Sequence, residues 1–101
     1  NVEDHVSMGA TAVRHTEKVL DHVETIVAIE LLAAAQGIDF RKREMGVDAQ
    51  GEGTGVAYEL LRRQVPFFSE DTVLAPYIEA VRKLVASGAI KTAVEEALGL
   101  D

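Results

Sequence analysis

Cysteine and tryptophan are absent from the 101 residues, proline occurs twice, and aromatics are limited to three phenylalanines and two tyrosines. Without cysteine there is no disulfide framework, no thiolate metal site and no cysteine nucleophile, and redox compartment leaves no trace. Basic charge is scarce. Ten Lys and Arg against seventeen Asp and Glu leave a net charge of −7. That argues against nucleic acid and against an anionic membrane surface as partners, because basic residues supply the attraction to both. Long apolar runs are missing too. The longest, IVAIELLAAA over residues 26–35, is broken by Glu30 and falls well short of the ~20 residues a bilayer span needs. The opening NVEDHVSMG has neither the basic nor the apolar region of a signal peptide, so a cytoplasmic location is expected. It also lacks an initiator methionine, which fits a chain cut from something longer.

Apolar residues make up 48% of the sequence, too many for disorder. A chain this long hides ~60–65% of its unfolded surface, enough for one modest core. From Val6 to Gln36 there is no proline, and the only glycine is Gly9. Apolar or small residues recur at Met8, Ala12, Val19, Ile26, Ile29 and Ala33, and again at Val13, Leu20, Val23, Val27, Leu31 and Ala34. Two adjacent stripes at helical spacing predict a long helix with a wide buried face, ending at Gly37 as a C′ residue. Thirty-one residues would make a rod of about 46 Å, too long for the rest of the chain to sheathe. Its apolar faces are therefore expected to be completed by other helices, from a second copy or from other sequence.

A locally basic stretch, Asp39 to Glu44, precedes MGVDAQGEGTG, residues 45–55, read as a flexible glycine-rich loop. It is not a phosphate loop: no strand precedes it, no Lys-Ser or Lys-Thr follows, and the spacing is wrong. Three shorter helices are predicted. One covers Val56–Val65 with Leu60, Leu61 and Val65 inward and Pro66 as its stop. One starts at Pro76 and buries Ile78, Val81, Leu84 and Val85, with Gly88 as its cap. One places Ile90, Ala93, Val94, Ala97 and Leu98 on one side. Phe67 and Phe68 in the connector are read as packing residues. The fold class is all-α: one very long helix plus about three shorter ones, as part of an oligomeric bundle.

Chemistry-bearing clusters are few. His15 and His22 are seven apart, about 10 Å along one helix face, too far to share a metal that would want an i, i+4 pair. They read as seam residues, and no metal is expected. Glu95-Glu96 and Glu70-Asp71 lie in polar stretches and read as solvated. The exception is Glu3-Asp4-His5, three ionisable groups just before a long apolar helix. On local grounds Asp4 or Ser7 would be an N-cap and Glu3 a complement to the helix dipole.

EDHVSMG, residues 3–9, followed by AIELLAAAQGIDFR, residues 28–41, resembles the C-terminal part of the histidine and aromatic amino-acid ammonia-lyases, histidine ammonia-lyase in particular. Weaker likeness continues through Ala75-Pro76-Tyr77-Ile78-Glu79-Ala80 to Ser87-Gly88-Ala89-Ile90. The resemblance implies a tetramer cored by long helices, of aspartase/fumarase-like type. It implies nonoxidative loss of ammonia from an L-amino acid, giving trans-urocanate when the substrate is L-histidine. It also implies a methylidene-imidazolone electrophile formed from an internal Ala-Ser-Gly in the N-terminal half of the assembled enzyme, and so not by this chain. Glu3 is then the one catalytic and substrate-binding candidate, facing the substrate's side chain. A carboxylate accepts a hydrogen bond from an imidazole N–H more strongly than an amide does, and relatives acting on phenylalanine and tyrosine usually carry Gln there. Asp4 and His5 are expected to be structural. Two departures stand out: Val2 where the family usually has Gln, which loosens strict histidine specificity, and Tyr77 where Asp is common. Ala86-Ser87-Gly88 matches the cofactor precursor by letters but is read as a helix stop. The implied partners are a second copy or the N-terminal part of the same enzyme. The rival readings are a non-catalytic helical assembly segment and a lyase or aminomutase segment acting on tyrosine or phenylalanine.

Overall fold

The computed structural model describes residues 2–46 and 49–100, with side chains from Gly9 onward. Helix α1 runs unbroken over Val2–Met45. Its 44 residues span the longest dimension of the molecule, 66 Å, as a rise of about 1.5 Å per residue requires. The rod is thus longer than the predicted one, and Gly37 does not end it. Gly37 keeps a right-handed helical backbone, and the left-handed glycine that closes α1 is Gly46, at φ 68°. The Gly46 N–H donates to the Lys42 carbonyl at 3.0 Å, the single bond of an αL cap. The helix carries through Gly37 because Gln36, Asp39 and Lys42 beyond and beside it find partners in the rest of the chain. Those contacts offset the ~1 kcal/mol that glycine costs inside a helix.

Three further helices follow: α2, Glu52–Gln64; α3, Ala75–Ala86; and α4, Ala89–Leu98. No strand occurs among the described residues. The loop expected over 45–55 is shorter than that, because α2 begins at Glu52 and takes in Gly53 and Gly55. Packing explains the difference. A Cβ on Gly53 would stand 3.3 Å from both Leu98 and Val94, so glycine here lets α4 close onto α2. Val65, before Pro66, adopts the extended backbone (φ −132°, ψ 118°) that a following proline imposes, and α2 ends there as predicted. Gly88, at φ 77°, turns the chain from α3 into α4.

The core lies where the C-terminal half of α1 crosses α2 and α3. Ala28, Leu32 and Ala35 of α1 meet Leu61, Val65 and Val81, all buried. Phe68 stacks on Tyr77 with ring centres 6.1 Å apart, and Phe67 meets Phe40 edge-on at 5.4 Å, so the Phe pair does pack. The N-terminal half of α1 projects beyond this body. Every described residue from Gly9 to Val23 is exposed.

Candidate functional site

Glu3 lies in the first turn of α1 by its backbone; its side chain, like those of Asp4, His5 and Ser7, falls outside the described residues. His15 and His22 are exposed on the projecting half of α1. About 18 Å of helix axis separates Glu3 from His15, so these groups do not form one cluster.

The second block that carries the family likeness, residues 28–41, is the stretch of α1 that packs on the body. Its inward positions are spaced at helical intervals: Ala28, Leu32, Ala35 and Asp39. The polar end of this face builds a network absent from the sequence reading. Arg62 of α2 donates from Nε and Nη2 to Asp39 Oδ2, at 2.9 and 2.6 Å. The Tyr58 hydroxyl donates to Asp39 Oδ1. Arg62 also donates to the Gln36 side-chain oxygen at 3.1 Å and to the Val65 carbonyl at 3.2 Å. Gln36 in turn donates to the Phe68 carbonyl at 2.8 Å and accepts from its N–H. One side chain of α1 thus pins the connector that follows α2.

Asp39 and Arg62 are each 13% exposed at the side chain. Burial pushes the Asp39 carboxyl up, but hydrogen bonds from Tyr58 and Arg62 outweigh it, aided by the charges of Arg62 and Lys42; the net shift is downward. The signal in the sequence was an aspartate and a glutamine three apart on the apolar face of a helix, which needed partners. A second tie sits higher on the rod. Arg82 of α3 reaches Glu24 of α1 at 3.2 Å while also pairing with Glu79 on its own helix at 2.7 Å.

Ala86-Ser87-Gly88 ends α3, as read from the sequence. The Gly88 N–H donates to the Val85 carbonyl at 3.1 Å, and the Ser87 hydroxyl donates to the Leu84 carbonyl at 3.1 Å. The backbone nitrogen that a cyclisation would use is held in a helix cap, so this tripeptide does not fit the family's cofactor. No helix among the described residues is long and apolar enough to cross a membrane.

A four-helix chain dominated by one overlong helix, with the two ammonia-lyase blocks at the tip and the packed half of that helix, defines a segment of a helical lyase scaffold. The family profile described as aromatic amino acid lyase matches residues 1–63, and the chain belongs to that family. It is 56% identical over 94 residues, 92% of its length, to a histidine ammonia-lyase of Chloroflexus aurantiacus. It is 42% identical over 99 residues to that of Natranaerobius thermophilus and 44% over 99 to that of Symbiobacterium thermophilum, in each case 98% of this chain. The chain spans only 18% to 19% of the length of these relatives. No solved structure matches it.

Proposed function

We propose that this chain is the C-terminal segment of a cytoplasmic enzyme that removes ammonia nonoxidatively from L-histidine to give trans-urocanate, and that it is inactive alone. The observation that carries the reading is the likeness to histidine ammonia-lyases over nearly the whole chain, together with Glu3 in the block EDHVSMG. The methylidene-imidazolone of the assembled enzyme supplies the electrophile and comes from sequence outside this chain. The chain's own contribution is twofold. Its rod joins the helical core, and Glu3 accepts a hydrogen bond from the substrate's imidazole N–H, which selects an imidazole over a phenyl or phenol ring.

The test is to mix this chain with the complementary N-terminal portion of the enzyme and offer histidine, tyrosine and phenylalanine separately. Urocanate formed only by the mixture supports the reading. A well-formed complex without activity makes the chain an assembly segment, and preference for tyrosine or phenylalanine moves the substrate. Glu3→Gln should lower histidine turnover more than any turnover of the other two, and an unchanged histidine rate removes Glu3 from the site.

A further inference from the structure

Directed bonds tie α1 to the body at two levels. Low on the rod, Gln36 and Asp39 bond to Phe68, Tyr58 and Arg62. High on it, about 22 Å from Asp39 along the axis, Glu24 accepts from Arg82 of α3 at 3.2 Å. Between the two levels Ala28, Leu32 and Ala35 pack with Leu61, Val65 and Val81. Burial is non-directional, so that packing limits roll and slide of the rod less tightly than a directed bond does. Glu24 also marks where cover ends. Every described residue from Gly9 to Val23 is exposed, whereas the Glu24 side chain is 14% exposed.

The surroundings of Arg82 suit it to hold that bond. Its Nε and Nη2 donate to the two carboxylate oxygens of Glu79, at 2.9 and 2.7 Å, a fork that fixes the plane of the guanidinium. Nη1 is left to reach across to Glu24. Val81, next to Arg82 in sequence, is fully buried in the core, so the α3 backbone beneath the arginine is seated. Fully exposed ion pairs hold little, but this one is partly withdrawn from water at both ends, Arg82 being 24% exposed.

About 32 Å of helix axis separates Glu24 from Glu3 at the tip. At that lever length a tilt of about 2° carries the tip through about 1 Å, a misplacement that costs a reaction on the order of 100-fold. We propose that Arg82 is a positioning residue for the reaction proposed above: by holding Glu24 it fixes the tilt and roll of the projecting half of α1 and so sets where Glu3 meets the substrate. The inference rests on that proposed function. Arg82 acts through the rod and touches no substrate. Other helices laid along the rod would add apolar cover, which again resists a small roll less than a directed bond does.

The test uses a hybrid in which this chain replaces the matching segment of the Chloroflexus aurantiacus histidine ammonia-lyase. Arg82→Ala should lower kcat/KM for histidine by roughly tenfold, and Glu24→Ala should do the same. Arg82→Lys keeps the charge without the fork and should lose less. In a Glu3→Gln hybrid, Arg82→Ala should change histidine turnover little, because the carboxylate it places is gone. A structural role alone would cost the same factor in both backgrounds. In the purified chain, amide exchange over residues 24–27 should quicken on Arg82→Ala while 32–39 stays protected, so that the tie is lost and the core kept. An active parent hybrid indifferent to Arg82→Ala, equal losses in the two backgrounds, or unchanged exchange would overturn this inference and leave the proposed function standing. A parent hybrid that assembles and makes no urocanate would overturn the proposed function, and this inference with it.

Discussion

At the scale of single residues, Asp39 and Arg62 hold most of the specific chemistry on which the described structure depends. Each is largely withdrawn from water and answered by charge and by directed hydrogen bonds. Removing one partner strands the other, so Arg62→Ala should destabilise the isolated chain by about 2 kcal/mol, measured by urea unfolding. Tyr58→Phe removes one hydrogen bond and should cost about 1 kcal/mol. The pH dependence has a definite sign. The Asp39 carboxyl titrates below its ordinary value in the folded chain. Its contribution is therefore complete above an unfolded pKa of ~3.9 and is lost as the pH falls through the lower folded value. Unfolding of the parent chain and of Asp39→Asn, compared between about pH 6 and about pH 2, should show the parent losing more stability on acidification. Equal losses would mean that the network does not discriminate the ionised carboxylate.

At the scale of elements, glycine shows how far the sequence could be read. Gly88 ends α3 where predicted, because a left-handed residue was needed and a hydrophobic stripe stopped there. Gly37 looked the same in one dimension, yet α1 passes through it. The deciding contacts, Asp39 with Arg62 and Gln36 with Phe68, are separated by 23 and 32 residues and carry no local signature. Gly53 reads as loop from its neighbours in sequence, whereas its value lies in the approach of Val94 and Leu98 from α4. The inward faces of α2 and α3 were legible, since Leu61, Val65 and Val81 fall on their stripes and are buried. The polar network was not, since its members come from different helices. The two glycines also give opposite predictions for one chemical change. Gly37→Ala should raise the thermal stability of the dilute monomer by about 0.5–1 kcal/mol, because nothing stands in the way of the new methyl group. Gly88→Ala should lower it by about 1 kcal/mol or more, because φ is 77° there.

At the scale of the whole molecule, the radius of gyration is 18.1 Å, against ~13 Å for a compact chain of this length. The excess is the projecting half of α1, where Val13, Leu20 and Ile26 remain more than half exposed. Helical stability in proteins comes mostly from packing an apolar face. In the dilute chain, amide exchange over residues 9–23 should therefore be much faster than over 28–39, with the difference shrinking on assembly. The rod was legible in the sequence because its stripes run without a break. The occupant of its outer face was not, because two stripes announce burial without saying against what. The proposed function requires this segment to replace the matching segment of a relative. The most direct measurement replaces the corresponding segment of the Chloroflexus aurantiacus histidine ammonia-lyase with this chain and follows urocanate formation from histidine. The hybrid should be active and should lose most of its histidine turnover on Glu3→Gln. A hybrid that assembles like its parent and leaves histidine untouched would contradict it.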